Sequence, residues 1–277
     1  MKDKYGILGY PLGHSLSPYM HSRYNFYLNN GSGYDAYEIA SDDLESSLKE
    51  LHTAGVKGLN VTIPYKQAVI PYLSSMDESA AIVGAVNTLK YTAEGYIGYN
   101  TDVTGLRNCL IKNGLEPKGR NVLILGAGGA ARAAAYVAVR SGCKSLYILN
   151  RTLEKAEAVC RDFGGSSYDY SCLNTLPDTS FFVFQTTSVG MYPHIEDMLP
   201  LPDEMLNRFE AAVDLIYNPM PTRFLEKLSQ RGIKTVTGFD MLIEQGLASR
   251  SIWNPEEKIS DDIKRKVYDE CVRYSRS

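Results

Sequence analysis

Short apolar runs and segments of helical spacing alternate along this 277-residue chain. The first run is Lys4–Gly9, and residues 34–39 and 57–61 repeat it. Ser17 followed by Pro18 is a helix start, with a hydroxyl cap and then a proline in the first helical position. Between the second and third runs, Leu44, Leu48 and Leu51 fall on one helical face, Ser41 is placed to cap that helix, and Gly55 ends it. This β-α-β-α-β alternation predicts a mostly parallel sheet. An extended stretch opens at Gly84, and Glu94-Gly95 turns it into residues 96–99, which predicts a hairpin. A helical stretch to Asn113 follows, with Asp102 in a capping position.

Residues 114–119, which include Pro117, mark a join. Beyond it the four apolar residues 122–125 run straight into Gly126-Ala127-Gly128-Gly129-Ala130-Ala131, then into an alanine-rich segment ending at Arg140. That order reads as a buried parallel strand, a tight turn and a helix. The same alternation continues through strand Ser145–Leu149, helix 152–163, a strand near 181–184, strand 212–216, helix 222–230 and strand Lys234–Val236. A helix from Gly238 carries Met241, Leu242 and Gln245. After Pro255 a last amphipathic helix spans Asp261–Tyr274. The pattern predicts two α/β domains with a cleft between them. Residues 1–103 form the first, completed by residues 239–277, whose helices have no strand left to pair with. Residues 104–238 form the second, a Rossmann-type nucleotide domain.

The turn at Gly126 fits G-x-G-x-x-A, with Ala131 in third place. Gly126 permits the sharp turn, Gly128 lets a pyrophosphate approach the backbone, and Ala131 allows close helix–strand packing. The helix start offers free N–H groups and the positive end of its dipole. The next strand ends in Asn150-Arg151-Thr152, with no acidic residue to take a ribose hydroxyl and with Lys155 about one helical turn on. A cation there accommodates a 2′-phosphate, so the expected cofactor is NADP rather than NAD.

Composition narrows the field. Apolar residues make up 44% of the chain and the net charge is −3, with no basic patch to suit nucleic acid or a membrane surface. No apolar run reaches spanning length and no leader-like segment opens the chain, so a cytoplasmic protein is expected. The five cysteines form no C-x-x-C pair, which fits reduced thiols. The four histidines have no ligand spacing, so no metal is expected. Nothing in the sequence accounts for the 20 tyrosines.

Strand ends supply the candidate chemistry. Ser15 and Ser17 follow the first strand, where two hydroxyls near a helix start suit an anionic group; Ser17 also reads as a plain cap. Thr62 and Lys66 lie just past the third strand's carboxyl end, where ligands of α/β sheets bind. Thr186-Thr187-Ser188-Val189-Gly190-Met191 is a small-residue loop at another strand end.

These stretches together resemble the shikimate dehydrogenase family. The likeness rests on Ser15-Leu-Ser17-Pro18, Asn60-Val-Thr62-Ile-Pro64-Tyr-Lys66, Gly84-Ala-Val-Asn87-Thr88 and Asn100-Thr-Asp102-x-x-Gly105. It continues through Gly126 to Arg132, Asn150-Arg-Thr152, Asp214-x-x-Tyr217-x-Pro219-x-x-Thr222 and Met241-Leu242-x-x-Gln245. Departures are Ser22, Gln185 and Arg223, where the family often has Asn, Asn and Pro; Gln185 bears on the nicotinamide loop. The resemblance implies reduction of 3-dehydroshikimate to shikimate by NADPH in aromatic amino-acid biosynthesis. It implies Lys66 and Asp102 as catalytic residues. Ser15, Ser17 and Tyr217 would hold the carboxylate, and Thr62, Asn87 and Gln245 the ring oxygens. Gly126, Ala127, Gly128, Gly129, Ala130, Asn150, Arg151, Thr152, Lys155, Thr187, Leu215 and Gly238 would hold the cofactor. A monomer or homodimer acting on a small molecule is expected. The alternatives are a quinate/shikimate dehydrogenase using NAD, methylenetetrahydrofolate dehydrogenase, which the S-x-S-P and N-T-D stretches fit poorly, and a catalytically silent nucleotide-binding regulator.

Overall fold

In the computed structural model, which describes residues 3–13 and 15–275, the chain builds two six-stranded sheets. Each belongs to its own unit. One comprises the residues up to Thr104 and those from Gln245; the other is Gly105–Glu244.

In chain order the first unit holds β1 (Lys4–Gly9), α1 (Ser17–Leu28), β2 (Gly33–Glu38), α2 (Leu44–Thr53), β3 (Gly58–Val61), α3 (Tyr65–Ala68), β4 (Ser75–Met76), α4 (Glu78–Val83), β5 (Thr88–Thr92) and β6 (Gly95–Tyr99). α5 (Thr101–Lys112) begins in this unit and ends in the second. The sheet order is β2-β1-β3-β5-β6-β4. β1 pairs in parallel with β2 and β3, as the alternation predicts. The hairpin then reverses direction, so β3–β5 and β5–β6 are antiparallel and the sheet is mixed. That reversal positions the site. An antiparallel β5 starts where β3 ends, and β6 returns to the same side, with Thr88 opposite Asn60 on one flank and Tyr99 on the other.

Three expected caps are corrected. Helix α1 begins at Ser17 itself, with Leu16 before it and no side-chain cap; the Ser17 N–H instead donates to Ser15 Oγ at 3.4 Å. Ser41 opens a single 3-10 turn and caps nothing. Asn100, not Asp102, serves the start of α5, accepting from the Val103 N–H at 3.2 Å. At α1 and α5 a neighbouring side chain takes the free amide, and Asp102 is left available for other partners.

Leu8, Leu44, Leu48, Leu59, Val61, Tyr65, Val86, Leu89 and Tyr96 are among the residues of this unit's core. The tyrosines find a role here. Tyr65 donates to the Ile39 carbonyl at 2.5 Å and Tyr96 to the Val56 carbonyl at 2.9 Å, so rings fill the interior while hydroxyls satisfy backbone acceptors. Trp253 Nε1 donates to the Leu89 carbonyl at 2.9 Å. A Cβ on Gly58 would stand 2.3 Å from the Trp253 ring, so only glycine lets the tryptophan lie against β3. Buried Arg250 pairs with half-buried Glu257 at 2.8 Å.

The second unit holds β7 (Asn121–Leu125), α6 (Gly129–Arg140), β8 (Ser145–Leu149), α7 (Leu153–Phe163), β9 (Ser166–Tyr168), β10 (Phe181–Gln185), α8 (Asp203–Leu206), β11 (Phe209–Asp214), α9 (Arg223–Ser229) and β12 (Lys234–Val236). Its strands are all parallel, in the order β12-β11-β10-β7-β8-β9. β10 and the middle of β7 are wholly buried, as strands covered on both faces must be. Ala131, Ala133, Ala134 and Ala135 are fully buried on α6, whose small side chains let the helix sit close on the sheet. The two-residue β4 and three-residue β9 lack the β-branched residues that mark the equally short β12.

Two helices close the chain. α10 (Phe239–Trp253) enters the first unit at Gln245, and α11 (Asp261–Tyr274) lies within it, packed against α1. No helix among the described residues is long and apolar enough to cross a membrane.

Candidate active site

In the first unit the ends of β1, β3 and β6 and the start of β5 bring polar side chains together. Lys66, on the short helix after β3, donates to Asp102 Oδ2 at 2.5 Å. Their side chains are 19% and 6% exposed, so the pair is shielded from water yet the lysine is reachable. Asp102 Oδ1 accepts from Asn87 Nδ2 at 2.8 Å. The backbone N–H of Thr101, which can only donate, points at Asn87 Oδ1 at 2.7 Å. This contact decides the amide's orientation and turns its NH2 group toward the carboxylate. Gln245 Oε1 approaches Asn87 Nδ2 and Thr101 Oγ1, each at 3.4 Å. Both lysine and loop are held from the backbone, since the Val86 N–H donates to the Lys66 carbonyl at 2.7 Å.

Thr62 lies on the segment joining β3 to Lys66, its N–H donating to the Leu8 carbonyl at 2.9 Å. A Cβ on Gly9 would stand 2.4 Å from Thr62 Cγ2, so the glycine admits the threonine between the two strand ends. Ser15 is half-buried and Ser17 buried at the start of α1. Lys66, Asp102, Asn87 and Gln245 are therefore linked by direct hydrogen bonds, whereas Ser15, Ser17 and Thr62 stand apart from that linked group on the neighbouring strand ends. Four further residues of the cluster, Asn60, Thr88, Thr101 and Ser249, carried no assignment from sequence. A signal existed: Asn60 is the one polar side chain in the wholly buried β3, and Ser249 follows Gln245 by one turn on the same helical face.

In the second unit the switch point of the sheet lies where β7 is flanked by β8 and β10. Gly126 leaves β7 with φ +114°, and a Cβ there would stand 2.5 Å from Thr186 Oγ1. Gly128 differs: a Cβ there would meet no protein atom within 4 Å. It precedes α6, whose start has no side-chain cap, and Gly129 and Ala130 open the helix. The turn is thus a cradle with open space before it and unclaimed amide donors, which suits a pyrophosphate. At the end of β8, Asn150 Nδ2 donates to the Thr152 carbonyl at 2.8 Å, bending the chain so that Arg151, Thr152 and, on α7, Lys155 are all exposed. Arg132 plays another part: it pairs with Asp162 at 2.5 Å and lies over Phe163.

Gln185 shapes the loop after β10. Its Oε1 accepts from the Thr187 N–H at 2.6 Å and its Nε2 donates to the Val189 carbonyl at 3.2 Å, so the side chain ties both limbs of the turn. Asp214, fully buried at the end of β11, accepts from Thr222 Oγ1 at 2.7 Å and the Ile216 N–H at 3.0 Å. These bonds close the 215–221 loop, which carries Leu215 and Tyr217. Burial pushes the Asp214 carboxyl up to about 7 against the pull of both hydrogen bonds. Gly238 packs on that loop; a Cβ would stand 2.3 Å from the Leu215 carbonyl oxygen.

A parallel sheet with a glycine cradle at its switch point, and a second sheet carrying a shielded lysine–carboxylate pair, define a dinucleotide-dependent oxidoreductase of two α/β units. Residues 7–89 match the family described as the shikimate dehydrogenase substrate binding domain, and residues 110–188 match shikimate / quinate 5-dehydrogenase. A shikimate dehydrogenase (NADP(+)) from Moorella thermoacetica is 38% identical over 259 residues, which is 91% of this chain and 88% of that one. Among solved structures, a chorismate mutase/shikimate 5-dehydrogenase fusion protein from Clostridium acetobutylicum superposes with a TM-score of 0.90 at 35% identity, over 100% of both chains. The shikimate 5-dehydrogenase of Thermus thermophilus, solved in complex with NADP(H) and shikimate, gives 0.83 at 32% identity, over 97% of this chain and 99% of that one. The chain belongs to the shikimate dehydrogenase family.

Proposed function

We propose that this enzyme reduces 3-dehydroshikimate to shikimate with NADPH, reversibly, as a step of aromatic amino-acid biosynthesis in the cytoplasm. The observation that carries this reading is the Lys66–Asp102 pair, joined through Asn87 to Gln245 at the converging strand ends of one family-typical unit.

The nicotinamide supplies the hydride. The residues of the chain supply orientation, charge and the proton. As the ketone carbon accepts hydride, negative charge grows on its oxygen. Lys66 stabilises that charge and passes a proton from Nζ to the oxygen; in the oxidation direction the proton returns to Nζ. Asp102 fixes the lysine and accepts from the neighbouring ring hydroxyl. Asn87, Gln245 and Thr62 read the ring oxygens, while Ser15, Ser17 and Tyr217 hold the carboxylate with neutral donors. For the cofactor, the open backbone at Gly126–Ala130 suits the pyrophosphate, and exposed Arg151, with Asn150, Thr152 and Lys155, suits the 2′-phosphate. Thr187, Leu215 and Gly238 lie on the strand-end loops and border the nicotinamide in this reading. Hydride transfer requires the two reacting carbons to meet at about 3–3.5 Å.

The absorbance of reduced nicotinamide, followed with shikimate and with quinate against NADP and NAD, tests the proposal. The highest kcat/KM is expected for shikimate with NADP. A preference for quinate or for NAD would move the enzyme to the quinate/shikimate class, and no turnover with any pair would leave a silent nucleotide binder.

A further inference from the structure

Behind Asn87 lies a buried group of hydroxyls that donate to neither Lys66 nor Asp102. Thr88, Thr101 and Ser249 are each no more than 2% exposed. Ser249 Oγ is their meeting point: it lies 2.8 Å from Thr88 Oγ1, 3.1 Å from Thr101 Oγ1, 2.9 Å from Asn60 Nδ2 and 3.0 Å from the Gln245 carbonyl. A serine hydroxyl has one proton and two lone pairs, so these four neighbours exceed its capacity and leave it no spare direction. Asn60 Nδ2 can only donate into it. Asn60 is itself fixed at Oδ1 by the Tyr34 hydroxyl at 2.7 Å.

The two threonines pass this restraint forward. Thr88 Oγ1 and Thr101 Oγ1 both stand 3.1 Å from Asn87 Oδ1, and Thr101 Oγ1 stands 2.9 Å from Asn87 Nδ2. They bracket the amide whose other face orients Asp102. We propose that Ser249 is a positioning residue for the reaction: it holds the Thr88 and Thr101 hydroxyls against Asn87 and so fixes the Asp102 carboxylate for Lys66. α10 thereby contributes twice to the site, through Gln245 and, one turn later, through Ser249. The inference rests on the roles proposed above for Lys66 and Asp102.

Ser249→Ala tests it, with the isosteric Thr88→Val as an independent removal of the next hydroxyl. Loss of the restraint is expected to lower kcat for shikimate oxidation about tenfold, the worth of roughly one hydrogen bond, and to leave KM for NADP within about twofold. The kcat–pH profile is expected to move, which loss of fold stability alone would not cause. The double variant should lose little more than the worse single one, because both act through the same amide. An unchanged pH profile, with kcat falling only in proportion to the folded fraction, overturns the inference. If Ser249→Ala does not fold, Thr88→Val decides by the same profile. Wild-type turnover in Lys66→Ala removes the parent reading and this one with it. An inactive Lys66→Ala beside unaltered Ser249→Ala and Thr88→Val removes this one alone.

Discussion

The two units have the same number of strands and opposite interiors. Only Phe26 of the eight phenylalanines lies in the first unit, while most of the twenty tyrosines do. The second unit is filled instead by Phe181, Phe182, Phe184, Phe209 and Phe224. In the first unit the carbonyls of Ile39, just after β2, and Val56, just before β3, are met by the hydroxyls of Tyr65 and Tyr96. That unit also carries a buried polar cluster from Asn60 to Ser249. The second sheet is parallel, satisfies its own backbone and is filled mostly by hydrocarbon, its buried Gln185 and Asp214 standing at strand ends. The difference follows from how each unit is proposed to work. Chemistry on a substrate needs side chains of particular kinds held by other side chains, whereas a pyrophosphate is held by backbone, which any well-packed sheet can present at a glycine turn.

If this contrast is right, deleting one side chain in the first unit should cost the most. Lys66→Ala is expected to lower kcat roughly 10²–10³-fold with a modest change in KM for shikimate, because the charge it stabilises develops in the transition state. Near-wild-type turnover in steady-state assays would show that the pair is structural.

Within the second unit the cofactor's 2′-phosphate is assigned to side chains rather than to backbone. Arg151→Ala should raise KM for NADP about 10–100-fold, the worth of a charge-assisted hydrogen bond, and hardly change KM for NAD. Equal losses with both cofactors would make Arg151 part of the fold.

Gly128→Ala separates backbone binding from packing. The added methyl meets no protein atom, and the glycine's φ of −87° is open to alanine, so Tm should hold. The methyl would stand where the pyrophosphate approaches, so KM for NADP should rise about tenfold or more. A fall in Tm with an unchanged KM would refute the cradle.

The interiors should also respond oppositely to pH. His21 is fully buried in the first unit, stacked on Tyr34, and burial first, then the Arg250 charge, hold its pKa well below the ordinary 6.5 despite the countering pull of Asn60. The unfolded chain therefore binds this proton more readily, and the first unit should lose stability as pH falls below 6.5. Asp214 has the reverse sign. Its folded pKa of about 7 lies above the ordinary 3.8, so its contribution is complete below 3.8 and is lost as pH rises through about 7. Hydrogen exchange resolved by segment should show the two trends, and Asp214→Asn should flatten the second. Parallel pH responses in both units would break the comparison.

The smallest effect is expected from Tyr96→Phe, which leaves the Val56 carbonyl without its 2.9 Å donor. Urea unfolding should show a loss of about 1–3 kcal/mol. No change would mean that the tyrosines of the first unit serve only as bulk.

How much of this was legible in the chain depends on the range of the forces involved. The nucleotide unit reads almost directly. Residues 121–131 encode strand, turn and helix by local periodicity and by glycines that a local backbone path requires, and Ser145–Leu149 and Lys234–Val236 are bounded as their patterns predict. The substrate unit reads less well, because its features are settled between segments far apart in sequence. Asp102 looks like a cap to its neighbours, yet Asn100 takes that duty and Lys66 and Asn87 claim the carboxylate. The hairpin is visible, but only its register against β3 shows that it reverses the sheet and delivers Asn87 and Asp102 to the lysine's side. Gln185 is a departure in the sequence; in the structure it ties the turn at Thr187 and Val189. The chain by itself determined the periodic elements, the glycine turn and the residue types available for chemistry, because propensity and patterning act over one or two turns. Tertiary structure alone decided which polar groups became partners, because a hydrogen bond needs its atoms within about 3 Å and only the folded unit brings the side chains of Asn60, Asn87, Asp102 and Ser249 to their partners.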